Sequence, residues 1–468
     1  MATFLAIFFV LLEVTAVIMA WRAIQHSRTS QGAVGWAIFL IAAPYISVPA
    51  YAFLGHHKFA HYVTGRRDSE DVIERIQEVR EALRPETVPT FPTMALEAIS
   101  GLPVTRGNAM ELLIDGEETF DAIFAAIDAA ETYVLVQFYI IHDDGLGRGL
   151  QRHLIAAAQR GVTVRVLYDP VGSHRLRHDY RQTLRDAGIE IVEPSQMRVP
   201  KNRFQLNFRN HRKTVVVDGT TAFTGGLNVG DEYLGRSPRF GAWRDTHVRL
   251  KGPVVSQLQL IFAEDWHWTT EENLLPSLNW QSGMAKENMS GLIVPTGPGD
   301  TQESGAMFFF SALANAKQRV WIASPYFVPD MDILTAIKHA ALKGVDVRIL
   351  VPDNIDHKVV WLAAFAYFDE VREAGAQVWR YTDGFMHQKA VLVDDCLAAV
   401  GTTNMDTRSF ILNFETMAVV FDTRAADDLE DMFKTDFARS FRLDKPLSEQ
   451  PLGIRIGAPV TRLFSPLL

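Results

Sequence analysis

The sequence predicts an α/β protein: two tandem α/β domains with mainly parallel or mixed sheets, preceded by two transmembrane helices. Three observations carry this. The pattern H-x-K-x-x-x-x-D occurs twice, as His211, Lys213 and Asp218 and again as His387, Lys389 and Asp394. Longer stretches around the two copies match each other, and two long apolar runs occupy the N-terminus. Each motif is followed at the same distance by a glycine and an asparagine: Gly225 and Asn228, then Gly401 and Asn404. A single spaced pattern of this kind is weak. Two copies with the same distal asparagine point to one site built from two similar halves.

The elements follow in chain order. The first apolar run, 2–21, is broken only by Thr3, Glu13 and Thr15, and the second, 32–55, holds no charge. A helical span needs about 20 residues, so each run is long enough to cross a bilayer. Trp21, Trp36, Tyr45 and Tyr51 suit the interfaces. Pro44 and Pro49 are expected to kink the second helix. A cleaved signal peptide is a competing reading of the first run, but a basic leader and a clear small-residue cleavage site are missing. Glu13 is costly at mid-bilayer and either faces the partner helix or lies shallow enough to reach water. Lys58, Arg66, Arg67, Arg75 and Arg80 follow the second run, whereas only Arg22 and Arg28 lie between the runs. The positive-inside rule then places the large domains in the cytoplasm. Val72, Ile73, Ile76, Val79 and Leu83 form an amphipathic stripe that either packs on its own domain or lies on the membrane. Pro85, Pro89 and Pro92 read as a linker.

A chain of 468 residues is too long for one ordinary domain. Its repeats set the expected divisions. Segment 134–139 resembles 321–326, 156–167 resembles 339–350, and 185–192 resembles 372–379. Each repeat reads as strand, helix, glycine turn, apolar strand, helix, glycine turn, strand and then the motif. Gly161, Gly188, Gly344 and Gly375 are expected to end helices in the left-handed conformation. Apolar strands separated by helices imply a sheet covered on both faces. The expected organisation is two spans in 1–56, a juxtamembrane helix and linker in 57–92, a first domain in 93–268, a linker in 269–289, a second domain in 290–443 and a tail in 444–468. The two domains are expected to face each other across one cleft.

Composition removes several function classes. The net charge of −9 argues against a general nucleic-acid partner. A single cysteine, Cys396, excludes an intramolecular disulfide and any cysteine-built metal site. The segment 195–217 is the exception to the acidic balance. It contains no acid before its end but carries Arg198, Lys201, Arg203, Arg209, Arg212 and Lys213. Such a run attracts anionic headgroups, or is a solvated basic loop. Phe204, Leu206 and Phe208 alternate with it, as a wall against acyl chains or as a core strand.

A histidine, a lysine and an asparagine in each half suit a phosphodiester. Lysine and asparagine donate to non-bridging oxygens and stabilise charge that builds in the transition state. One neutral histidine attacks phosphorus, and the other, from the opposite side, protonates the leaving oxygen. No metal or other cofactor is required, and the carboxylate clusters of a two-metal phosphodiesterase are not evident beside the motifs. Asp218 and Asp394 fall at strand ends, where hydrogen bonding that holds a contact competes with direct chemistry. His142, His174, His247 and His357 read as structural or exposed, and His56, His57 and His61 as an interfacial group.

The sequence resembles the phospholipase D superfamily, and within it the bacterial cardiolipin synthases. The residues that carry this are Asn-His-Arg-Lys at 210–213, Gly-Gly-Leu-Asn at 225–228, Ser-Pro-Tyr-Phe-Val-Pro at 324–329 and Phe-Met-His-Gln-Lys at 385–389, with Asn-Met-Asp-Thr-Arg-Ser-Phe at 404–410, Asn-Phe-Glu at 413–415 and the ending Arg-Leu-Phe-Ser-Pro-Leu-Leu at 462–468. The resemblance covers nearly the whole chain. It implies transfer of a phosphatidyl group from one phosphatidylglycerol to His211, with release of glycerol, and then to a second phosphatidylglycerol. His387 would be the acid and base. Glu415 stands where the family carries a carboxylate that orients a histidine, and Asp245 is its counterpart in the first half, at a longer offset because of the insert 234–242. Thr402 replaces a commoner serine and keeps the hydroxyl. The implied partners are phosphatidylglycerol, other anionic phospholipids and the bacterial inner membrane; an oligomer is left open. Water as acceptor, which would make a hydrolytic phospholipase D, shares the same intermediate. A nuclease is disfavoured by the spans and the acidic balance. A silent scaffold would not need both sets of motif residues.

Overall fold

Helix formation at the N-terminus stops where proline removes a donor. The structure is a computed structural model and describes residues 2–27, 29–55, 83–194, 208–300 and 302–468. The basic cluster 58–80, most of the stripe 72–83 and the run 198–206 lie outside the described residues. The N-terminal helices belong to one compact unit and the large body to another.

In the first unit, α1 spans Ala2–His26, about 37 Å at 1.5 Å per residue. Among the described residues it is the one helix long and apolar enough to cross a membrane. The second apolar run, expected as one kinked span, is two shorter helices: α2, Ser30–Ala42, and α3, Pro44–Leu54. The break has a local cause. Pro44 cannot donate to the preceding turn but fits the first position of a new helix. Pro49 is carried inside α3. Ala16, Ala20 and Ala23 of α1 pack with Leu40 and Tyr51, and Trp36 meets the Tyr51 ring edge-on at 5.0 Å. Glu13 is exposed, not turned onto its neighbours.

The body opens with α4 (Met94–Ser100), β1 (Thr105–Ile114), α5 (Asp115–Asp128), β2 (Tyr133–Phe138), α6 (Gly145–Gln159), β3 (Thr163–Tyr168), α7 (His178–Asp186) and β4 (Glu190–Val192). Then come β5 (Arg209–Asn210), β6 (Thr214–Val217), β7 (Thr221–Gly225), β8 (Trp243–Arg244), β9 (Thr246–Lys251) and α8 (Val254–Thr270). The second half repeats the plan: β10 (Met289–Thr296), α9 (Ser304–Asn315), β11 (Arg319–Ala323), β12 (Phe327–Val328), α10 (Met331–Leu342), β13 (Asp346–Pro352), α11 (Lys358–Glu373) and β14 (Gln377–Tyr381). It continues with β15 (Phe385–Met386), β16 (Ala390–Val393), β17 (Leu397–Gly401), β18 (Met405–Asp406), α12 (Thr407–Ile411), β19 (Asn413–Phe421), α13 (Thr423–Ala438), β20 (Ser440–Arg442) and α14 (Leu452–Arg462).

Most of these strands make one continuous mixed sheet, in the order β20-β14-β13-β11-β16-β17-β19-β10-β1-β9-β7-β6-β2-β3-β4, with β5 beside β19, while β12 with β18 and β8 with β15 form two separate pairs. The order reads alike outward from its middle, where β10 pairs antiparallel with β1. Thus β6 matches β16, β7 matches β17 and β9 matches β19. The parallel part of each half is β2-β3-β4 or β11-β13-β14. Most of their residues are apolar and buried, because helices cover both faces, and the polar ones fall mainly at strand ends and edges.

Asp218 and Asp394 end β6 and β16 with positive φ, 52° and 48°, in turns that L-residues other than asparagine and aspartate rarely occupy. Asp218 accepts hydrogen bonds from the amides of Glu131, Thr132 and Tyr133 and from the Thr132 hydroxyl. Asp394 accepts from the amides of Lys317, Gln318 and Arg319. The motif pattern sets these aspartates beside the catalytic histidines and lysines, but the strands β6 and β16 carry them to the far end from the histidines. Seven residues of extended chain, roughly 20 Å, separate each from its motif histidine. Their carboxylates are taken up by the loops that lead into β2 and β11.

Candidate active site

Two short strands place each histidine against the opposite half. β5 pairs parallel with the start of β19, and the His211 amide donates to Phe414 O at 2.9 Å. In the same way β15 pairs parallel with β8, and the His387 amide donates to Arg244 O at 2.8 Å. The backbone crossing sets up a side-chain crossing. His211 Nδ1 lies 2.8 Å from Glu415 Oε2, and His387 Nδ1 lies 2.8 Å from Asp245 Oδ2. Sequence reading found both carboxylates; the structure shows that each serves the histidine of the other half.

Glycine makes room for this crossing in the first half. A Cβ on Gly226 would stand 1.9 Å from Asp245 Oδ1. The matching position in the second half is Thr402, whose hydroxyl helps to hold Glu415 in its charged form. Gly225 and Gly401 meet the neighbouring strand so closely that a Cβ would come within 2.5 Å of His247 Cα or 2.1 Å of Thr416 O.

The lysines lie beneath the rings. Lys213 Nζ donates to His211 O at 2.7 Å. Lys389 Nζ donates to His387 O and stands 3.1 Å from His387 Nε2. Asn228 Oδ1 accepts from the Ile140 amide, and its Nδ2 donates to the Tyr233 hydroxyl. Asn404 is buried, and its Oδ1 has no hydrogen-bond partner among the described residues. Aromatic walls flank both rings: Tyr139 meets His211 edge-on at 5.0 Å, and Trp243 lies 5.4 Å from His387.

Burial sets the charge state. It pushes the His211 imidazole down to about 4 against the pull of Glu415, and His387 likewise to about 4 against Asp245. Both rings are therefore neutral near pH 7. With Nδ1–H given to a carboxylate, Nε2 keeps its lone pair. Burial also lowers Lys213 to about 7 and Lys389 to about 8. The charge of Lys389 depresses both Lys213 and His211, so the two half-sites feel one another directly. Burial raises Glu415, but pairing with His211 and then Lys213 outweighs it and holds the carboxyl below its usual range.

A supporting layer was not visible in the sequence. Arg212, between the first His and Lys, donates to Asp265 Oδ1 at 2.6 Å and to Glu415 O at 3.1 Å. Gln388, between the second pair, donates to Asp436 Oδ2 at 2.8 Å, and Arg244 grips both oxygens of that carboxylate. Asp265 lies on α8 and Asp436 on α13, the helices that follow β9 and β19. The equivalent placement of two acids in the repeats was the available signal. His247, read as structural, accepts from the Leu227 amide at 3.3 Å, and burial lowers it to about 3.

A family model described as "Cardiolipin synthase, PLD-like domain" matches residues 123–266 and 309–437, which together hold both motifs and both crossed carboxylates. The chain is 44% identical over 471 residues to cardiolipin synthase A of Pseudomonas entomophila (strain L48), covering 98% of this chain and 97% of that protein. The chain belongs to the cardiolipin synthase family. A second cardiolipin synthase A, from Pseudomonas fluorescens (strain SBW25), is 42% identical over 99% of this chain and 98% of its own length. Among solved structures, phosphatidylserine synthase of Haemophilus influenzae Rd KW20 matches with a TM-score of 0.59 over 80% of this chain and 99% of that one. At 16% identity that likeness speaks for the fold alone.

Proposed function

We propose that the chain condenses two phosphatidylglycerol molecules into cardiolipin and glycerol through a phosphohistidine. In the first step, His387 takes up a proton at Nε2 as the anionic phosphodiester binds beside it; His211 Nε2 then attacks the donor phosphorus as the bond to the glycerol oxygen breaks, and His387 Nε2–H passes its proton to that oxygen. In the second, His387 takes a proton from the terminal hydroxyl of another phosphatidylglycerol. That oxygen then displaces His211 from phosphorus. Lys213, Lys389, Asn228 and Asn404 hold the non-bridging oxygens. Glu415 and Asp245 keep each ring in the tautomer that exposes Nε2. The observation that carries this reading is the crossed pairing of each histidine with the other half's carboxylate at 2.8 Å.

The membrane arrangement is part of the proposal. Helix α1 crosses the bilayer, and α2 with α3 crosses back as one proline-broken span. Their combined 24 residues amount to about 36 Å of helix, enough for the hydrocarbon core. The basic residues after the second span then favour a cytoplasmic position for the domains that follow.

The test uses purified protein and phosphatidylglycerol as the sole lipid. Mass spectrometry is expected to find cardiolipin and glycerol in equal amounts, and rapid quenching in denaturant at neutral to alkaline pH, where a P–N bond survives, to leave phosphorus label on His211. Phosphatidic acid as the main product would replace this reading with hydrolysis. Label on His387 would exchange the two roles.

A further inference from the structure

Among the described residues, the second half of the body carries an exposed apolar helix face. One side of α14 packs on α11: Gly457 backs onto Leu362, Arg462 donates to Ala366 O, and Ala458 is buried. On the other side, at 100° per residue, Leu452, Ile456 and Val460 fall within an arc of about 80°, and Leu463 and Phe464 follow in the turn that closes the helix. They are 66%, 61%, 52%, 79% and 50% exposed. The helix holds two arginines and no acid, and Arg455 is exposed beside the stripe.

One end of this face lies near loops that border the site. The two helices run side by side in the same direction, so the start of α14 lies beside the start of α11. There Val359 is 47% exposed and Ile355, in the preceding loop, 40%. That loop touches the catalytic centre's surroundings. Asp356 accepts from the Tyr326 hydroxyl, and Asn354 Nδ2 donates at 2.9 Å to Gly384 O, just ahead of β15 and His387. At the far end of the tail, Leu468 O accepts from the Arg408 amide at 2.8 Å, directly after Asn404 and β18.

We propose that α14 and the adjoining start of α11 dock on the surface of an anionic phospholipid bilayer, with the stripe among the outermost acyl carbons. This rests on the phospholipid reading of the site, because a lipid substrate must reach His211 and His387 from a membrane. A second copy of the chain is the weaker occupant. The seven partly exposed side chains of this short helix, its closing turn and the start of α11 offer on the order of 700 Å², below the ~800 Å² per partner of a stable protein interface. An interfacial helix needs only a narrow apolar face and flanking cations.

The test uses the full chain in vesicles of phosphatidylglycerol and phosphatidylcholine. A fluorophore is placed by Val460→Cys in a Cys396→Ser background, with Lys434→Cys on α13 as the aqueous control. The expected result is quenching at 460 by nitroxide-bearing lipids and protection from iodide, with the reverse at 434. Equal iodide access at both positions overturns the proposal. Access by neither quencher at 460 also overturns it, because protein would then cover the face. Separately, Ile456→Glu with Val460→Glu is expected to cut turnover on vesicles about tenfold and spare turnover of dispersed short-chain phosphatidylglycerol. Equal loss on both substrates would mean a structural role and reject docking. The quenching result does not depend on turnover, so an error in the catalytic reading stays separable.

Discussion

At the scale of residues, the chemistry depends on two imidazoles pointed by carboxylates from across the repeat, one attacking as the neutral ring and the other carrying the proton. His211, Lys213, Asn228 and their partners at 387, 389 and 404 were legible because the motif is local and appears twice. The crossing was not legible. Glu415 and Asp245 follow their own motifs in sequence, and only the pairing of β5 with β19 and β15 with β8 hands each to the other histidine. Glu415→Gln removes the acceptor that fixes the His211 tautomer while keeping its shape. The expected result is a fall in turnover of roughly 100-fold or more with little change in unfolding temperature. Steady-state rates on phosphatidylglycerol vesicles, set beside thermal unfolding, check both halves of that statement.

At the scale of elements, the motif aspartates and the second apolar run show where pattern reading stops. Spacing placed Asp218 and Asp394 in the motif, but strand geometry carries them to the far end of β6 and β16. There they tie turns to the loops before β2 and β11. Asp218→Ala should therefore lower stability by about 1–3 kcal/mol through orphaned amides. Folded protein should keep most of its turnover per molecule. Chemical denaturation with activity normalised to the folded fraction tests this, and loss of turnover at full folding would return the residue to the chemistry. For residues 32–55, hydropathy gave an apolar run of spanning length, yet Pro44 divides it into α2 and α3. Composition measures how apolar a run is; a missing amide decides whether one helix continues through it.

At the scale of the whole molecule, the duplicated sequence becomes one sheet with β1 and β10 at its centre. The repeat was legible because each copy keeps the same strand, helix and glycine order. That the sheet runs unbroken through both copies was not, since pairing of β1 with β10 joins residues 181 apart at Asn108 and Met289. The same long-range pairing holds the two motif loops where Lys389 acts on His211. The central claim is that these halves make one site and not two. Its most direct measurement is turnover of His211→Ala, His387→Ala and the double variant under identical conditions. If both rings work on one phosphorus, each single variant drops to the level of the double, roughly 10⁴-fold below the unaltered protein. A single variant that retained about half the original rate, with the double variant far below it, would mean two independent sites and contradict the account.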